Sequence, residues 1–294
     1  MNQSKNILRL GICSLLLLGL TACHQNPSTT DAEKTSQAQI SSTKEASSWK
    51  ASYSNLNNQV SSEEVKNLLS AHLDSRSVDA FFNLVNDYNT TVESTGLSGD
   101  FSSFSKTEYD VEKISNLWKQ KKGDFVGTNC RINSYCLLKH SITIPKLEKN
   151  DDLLFLDNDA IDKGQVFDSK DKEEFDVLFS RVKTEATTDV KVHAEKMEKF
   201  FSQFQFNEKA RMLSVVLHDN LDGEYLFVGH VGVLVPADDG FLFVEKLTFE
   251  EPYQAIKFAT KEDCYKYLNT KYEDYTGEGL AKPFIMDNDQ WVKL

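Results

Sequence analysis

The chain is poor in histidine, cysteine and positive charge. Its six histidines are scattered over 294 residues, with no His-Glu-x-x-His and no paired Cys-x-x-Cys spacing, so nothing in it argues for a metal site. Lys and Arg number 33 against 45 Asp and Glu, a net charge of −12 that disfavours nucleic acid and anionic lipid as direct partners. Proline is scarce, at 5 residues, and no repeat or second linker interrupts the chain, which argues for one folded domain. What is present is a 40% hydrophobic, 11% aromatic composition, enough for a sizeable core. Residues 10–20 are the one long apolar run, too short to span a bilayer comfortably.

That run follows Lys5 and Arg9 and leads into Leu20-Thr21-Ala22-Cys23, which has the form of a bacterial lipobox. It resembles a lipoprotein signal. The resemblance implies removal of residues 1–22, lipid on Cys23, anchorage to a bacterial membrane through Cys23, and an extracytoplasmic location. Loss of Lys5 and Arg9 takes the net charge from −12 to −14. Residues 23–51, rich in Ser, Thr, Gln and Ala, read as a flexible tether, and residues 52–294 as the single domain. Of five cysteines, Cys13 leaves with the signal and Cys23 is acylated. Cys130, Cys136 and Cys264 remain, an odd number, so at least one thiol is free in a compartment where free thiols are uncommon.

Periodicity predicts a helix behind a capping box at Ser61-Ser62-Glu63-Glu64, a second after Ser77, and a third over residues 109–120. Thr128 or Asn129 caps a helix that opens at Cys130, and residues 150–210 are mostly helical. The acidic run Asp157–Asp162 lacks the terminal Glu of a calcium loop and carries Ile161, so it reads as a solvated turn. Strands are expected over 212–217, 227–235 and 241–248, a short helix over 252–258, and a last helix capped by Thr260. Helices first and an antiparallel sheet later define an α+β fold, a helical N-terminal half packed on a C-terminal antiparallel sheet.

Inside the apolar strands 227–235 and 241–248 sit His230 and Glu245, and burying such ionisable residues needs a reason. If the turn pairs Pro236 with Phe241, residue 232 lies opposite 245, so His230 and Glu245 share a face as diagonal neighbours. A carboxylate there orients the imidazole and stabilises its charged form. Cys130, at a helix N-terminus beside Arg131 and after the flexible Gly127, has the surroundings that lower a thiol pKa. We therefore take Cys130 as candidate nucleophile, His230 as base and Glu245 as orienting acid, with His218 and Asp239 as second choices for base and acid. Asn129 and Asn55 are candidate oxyanion donors beside the Cys130 amide, and Arg131 either clamps a substrate carboxylate or braces the sheet. Cys136 and Cys264 lie on apolar helical faces and read as structural.

A helix-opening Asn129-Cys130-Arg131, a distant strand carrying Gly229-His230-Val231-Gly232 and an acid on the next strand together resemble the papain-like cysteine peptidase and amidase superfamily, particularly its bacterial cell-wall branch. The resemblance implies a papain-like fold, no cofactor, a monomer, and a surface-anchored hydrolase or acyltransferase acting on peptide or peptidoglycan amide bonds. The chain departs from that pattern in having no Gln shortly before Cys130 and a Glu where the third residue is Asn. From Tyr53-Ser54-Asn55-Leu56 through Phe284 it also resembles a family of bacterial lipoproteins of unassigned function. A non-catalytic binding or adhesion lipoprotein on the same scaffold is the rival reading.

Overall fold

The computed structural model describes residues 50–104 and 108–294; the lipobox, Cys23 and nearly all of the tether lie outside the described residues. In chain order the elements are β1 (Ala51–Ser54), α1 (Gln59–Ser70), α2 (Ser75–Thr91), β2 (Ser102–Ser103), α3 (Val111–Lys122), α4 (Cys130–Leu138), β3 (Ile142–Thr143), α5 (Phe155–Gly164), α6 (Ser169–Leu178) and β4 (Val182–Lys183). Then come α7 (Val190–Phe201), β5 (Gln205–Phe206), β6 (Arg211–Asp219), β7 (Tyr225–Ala237), β8 (Gly240–Lys246), β9 (Tyr253–Phe258), α8 (Lys261–Tyr272), β10 (Phe284–Asp287) and β11 (Gln290–Val292). The class is α+β. An antiparallel sheet runs in the order β11-β10-β6-β7-β8-β9-β1-β2, with β4 also paired to β7.

Strand alternation sends the two sides of this sheet into separate cores. Val231, Val233, Val235, Leu242, Val244 and Ala255 pack under the N-terminal helices, while Leu234, Phe243, Ile256 and Phe258 face Tyr267 and Leu268 of α8. Helices therefore cover both faces, and the N-terminal β1 completes the sheet by pairing with β9.

Several local expectations are corrected. Residues 253–258 form the inner strand β9, between β8 and β1, rather than a short helix. Tyr253-Gln254-Ala255-Ile256 alternates between the faces, and the period of two prevails over the helix start suggested by Pro252. Helix α1 begins before Ser61: Asn58 is its cap and accepts from the Ser61 amide at 2.9 Å, so no capping box forms at 61–64. The acidic run 157–162 lies within α5, and Asp157 is fully buried instead of solvated.

Strand β7 carries a bulge. Val215 of β6 pairs with His230 and Val216 with Val228, which leaves Gly229 as an extra residue. Leu226 and Val228 face the N-terminal helices, so an unbroken alternation would send residue 230 to that side as well. The extra residue reverses the parity. Val231 takes the helix side and His230 turns toward α8, a re-aiming of the kind bulges produce beside functional sites.

Candidate active site

The β7–β8 ladder follows the expected register, Pro236 opposite Phe241, and its pairs end at Val233 opposite Val244. Beyond that point the strands no longer bond to each other, and α4 meets β7 there. Ser134 Oγ donates to the Val231 carbonyl at 3.2 Å and Arg131 Nη1 to the Val228 carbonyl at 3.0 Å. Strand carbonyls without a neighbouring strand would be costly to bury, and the helix satisfies them.

The N-terminus of α4 is built for this position. Asn129 caps it, its Oδ1 accepting from the Ile132 amide at 3.1 Å, while its Nδ2 donates to Asp157 Oδ1 at 2.7 Å. Arg131 grips both oxygens of Asp157, at 2.9 Å through Nε and 2.7 Å through Nη2. Arg131 thus braces α4, α5 and β7, and its planar fork suits that bidentate task. Below the cap, Asn133 donates to Thr128 Oγ1 at 2.9 Å and accepts from the Tyr253 hydroxyl at 2.9 Å. Cys130 is thereby fixed in the first turn, where the amides have no intrahelical acceptor and the helix dipole favours negative charge.

His230 Nε2 meets Glu245 Oε2 at 2.5 Å, and His230 is the main influence favouring the charged form of the Cys130 thiol. With Nε2 engaged by the carboxylate, Nδ1 is the nitrogen left for sulfur. Glu245 is held in turn by α8: the Tyr267 hydroxyl donates to Oε1, and Lys271 Nζ lies 3.3 Å from the same oxygen. Tyr272 stacks on His230, with ring centroids 4.9 Å apart and planes 24° apart. The structure therefore brings Cys130, His230 and Glu245 into one line, with the α8 trio Tyr267, Lys271 and Tyr272 behind it.

Electrostatics single out Cys130 among the three free thiols, all of them buried. Burial pushes the Cys130 thiol up, but the charge of His230, followed by Arg131, brings it below the ordinary cysteine value. His230 is opposed by burial and raised above its ordinary value by Cys130 and Glu245. Burial acts against the Glu245 carboxylate too, yet Lys271, His230 and Tyr267 hold it down to about 2. Cys136, by contrast, is pushed up to about 12 by burial, and Cys264 is raised well above its ordinary value for the same reason. The arrangement favours a thiolate–imidazolium pair backed by a carboxylate.

The other sequence-derived candidates stand elsewhere. His218 has both ring nitrogens engaged, Nε2 with Glu224 at 2.7 Å and Nδ1 accepting from the Ala281 amide at 3.1 Å. Asp239 is exposed in the turn at the opposite end of the hairpin from Glu245. The Asn55 amide donates to the Tyr109 hydroxyl at 2.9 Å and the Tyr253 carbonyl at 2.8 Å, while its Oδ1 accepts from Ser98 N at 2.9 Å. Asn55 and Asn129 therefore work as struts, with their side-chain amides engaged inside the fold.

Three contributors escaped the sequence reading. Lys271 and Tyr272 follow Tyr267 at helical spacing, a signal the sequence carries. Asp157 was hidden by its exposed-looking acidic neighbours. Among the described residues, no group of three or more His, Cys, Asp or Glu is placed to hold a metal ion.

Fold and site together define an α+β protein with a buried thiol–imidazole–carboxylate line at the tip of a helix. The chain belongs to the DUF4300 family, a domain of unknown function, whose profile matches residues 52–292. No curated protein and no solved structure matches it.

Proposed function

We propose that the protein is a cysteine hydrolase or acyltransferase on a papain-like plan, anchored to the outside of a bacterial membrane through lipidated Cys23 and acting on peptide or cell-wall amide bonds. The observation that supports the activity is geometric: α4, which Cys130 opens, packs on the strands β7 and β8 that hold His230 Nε2 2.5 Å from Glu245 Oε2, and the charge of His230 lowers the Cys130 thiol. The Cys130 thiolate attacks the amide carbonyl carbon, and the Cys130 amide supports the oxygen as it gains charge. His230 gives its Nδ1 proton to the leaving nitrogen as the C–N bond breaks, which leaves an acyl-Cys130 thioester. Water or an amine then gives a proton to His230 as it attacks the thioester carbonyl, and the C–S bond breaks, returning the Cys130 thiolate and the protonated His230. Glu245 keeps the ring oriented and its charge balanced through both halves. The location and the choice of a peptide substrate rest on the lipobox and the superfamily resemblance.

A binding module without catalysis would enclose Cys130 and keep it out of reach of any imidazole. Cys130 is only 6% exposed, but the charge of His230 reaches its thiol and lowers it, so enclosure alone does not favour that reading. The test is incubation of the purified protein with cell wall and with a peptide library, wild type against Cys130→Ala, with products read by mass spectrometry. New amine or acyl-transfer products formed by the wild type alone are expected. Identical product sets from the two proteins would overturn the proposal.

A further inference from the structure

Helices α1 and α2 border a cavity of about 460 Å³, within the span of about 300–1,000 Å³ usual for small-ligand sites. It shares no residue with the Cys130–His230–Glu245 line. On one side α1 presents Gln59, Ser62 and Glu63, and on the other α2 presents Phe82, Asn86, Asn89 and Thr90, each set at the spacing of a single helical face. Helices that close on each other do so through apolar stripes, and these two stripes are largely polar.

Asn89 carries an unmet need. It is only 6% exposed, its Nδ2 donates to the carbonyls of Leu56 at 3.0 Å and Asn55 at 3.2 Å, and its Oδ1 is buried with no partner among the described residues. A buried acceptor without a donor is destabilising, and a ligand hydroxyl reaching Asn89 supplies one. Next to it on the α2 stripe, Asn86 and Thr90 are exposed, and their side chains engage no other group among the described residues. Across the cavity, Asn57 Oδ1 accepts from Ser94 Oγ at 2.8 Å, which leaves the Asn57 Nδ2 as a donor.

The backbone here is strained as well. Leu56 lines the cavity with φ of +56°, a conformation costly for a bulky side chain, and its carbonyl is held by Asn89 Nδ2 and by Ser62 Oγ, each at 3.0 Å. Strain fixed from two helices at once is of the kind that gathers at ligand sites.

The chemistry of the lining narrows the ligand. It holds one acid, Glu63, and one base, Lys66, so its charges cancel; Glu63 Oε1 already accepts from Gln59 Nε2 at 2.7 Å and Lys66 pairs with Asp79 at 2.6 Å. What is left is a set of uncharged donors and acceptors. A sugar hydroxyl both donates and accepts, so a row of hydroxyls satisfies carboxamide oxygens and nitrogens alike, which a simple anion or cation cannot do. An extended peptide would take a strand edge and a docked helix an apolar groove, and neither is present between these stripes.

We propose that the cavity between α1 and α2 binds a neutral saccharide, with Asn86, Asn89 and Thr90 as its hydrogen-bonding stripe. The site goes beyond the cysteine-hydrolase reading and does not depend on it.

The experiment uses the full chain in detergent micelles and titration calorimetry carried to millimolar ligand. The probes are a tetrasaccharide of N-acetylglucosamine, one of glucose, one of galacturonic acid, and tetra-alanine. One or both of the neutral tetrasaccharides should bind, and the acidic one and the peptide should bind about tenfold more weakly or less. Preference for the N-acetylated sugar identifies a cell-wall glycan as the source, and preference for glucose an unsubstituted polysaccharide. Asn86→Ala and Thr90→Val, both at exposed positions, should each weaken binding about fivefold and together about twentyfold, with circular dichroism unchanged. Cys130→Ala should bind as the wild type does, so this site and the hydrolase reading stand or fall separately. No binding of either neutral sugar, equal binding of the acidic sugar or the peptide, or a double variant within about twofold of wild type would overturn the proposal.

Discussion

Replacing Glu245 by Gln tests the electrostatic core of the site, because it removes the charge while keeping the side-chain shape and an acceptor for Tyr267. The carboxylate is held at about 2 against an ordinary 4.5. At about 1.36 kcal/mol per unit, its partners favour the ionised form by roughly 3 kcal/mol beyond the cost of burial. Three groups share that preference, Lys271, His230 and Tyr267. A share with His230 on the order of 1 kcal/mol corresponds to a change in imidazolium population on the order of tenfold. The sign follows from the two neighbours. Cys130 is lowered and His230 raised, and both shifts favour the thiolate–imidazolium pair. Without the carboxylate, His230 falls toward its ordinary value or below it, and Cys130 rises because His230 is its main favourable influence. Both changes disfavour the pair. Iodoacetamide alkylation of Cys130, followed by peptide mass spectrometry from pH 4 to 9, should show wild-type labelling extending well below the ordinary thiol range. Cys136 and Cys264 should remain unlabelled as internal references. Glu245→Gln should label about tenfold more slowly near neutrality, with the acidic limb displaced upward. A profile within twofold of wild type at every pH would refute the reasoning.

Two further outcomes follow from the supports of the site. Arg131→Met leaves Asp157 buried without its positive partner, held by Asn129 alone, and should cost about 3–5 kcal/mol in urea unfolding, and the double variant Arg131→Met/Asp157→Leu should recover much of that loss. Deletion of Gly229 removes the bulge and sends residue 230 back toward the N-terminal helices; Cys130 should then label as slowly as Cys136, with far-UV circular dichroism retained.

The fold class was legible because it is written in period and order. Apolar runs at helical spacing precede β-branched runs bounded by turns, and the Pro236–Gly240 turn set the hairpin register. His230 and Glu245 stood out because a buried ionisable residue is costly wherever it sits, and the odd number of mature cysteines pointed to a free thiol. What stayed hidden depends on partners far apart in sequence. Asp157 looks solvated until Arg131 and Asn129, both from α4, close over it. Residues 253–258 look able to start a helix until β8 and β1 pair with them on either side. Lys246 carries no signal of its own in the sequence, and only the return of residues 248–251 over it encloses its amine among three carbonyls, where burial lowers it to about 7.

The bulge at Gly229 shows why the parity argument succeeded despite missing a feature of the strand. Counting from the turn through Phe241 and Pro236 crosses no irregularity before reaching residues 245 and 230, so their common face follows from alternation alone. Counting from the start of β7 would have crossed Gly229 and placed His230 on the wrong side. The face, though, is only half of the geometry. A histidine facing α8 and a cysteine on a helix packed against the opposite face would be separated by an intact sheet. They meet because the β7–β8 ladder ends at Val233 and Val244, and because α4 takes up the strand carbonyls beyond that point. The local loss of strand pairing is thus what joins the two halves of the site, and the bonds from Ser134 and Arg131 make that loss tolerable.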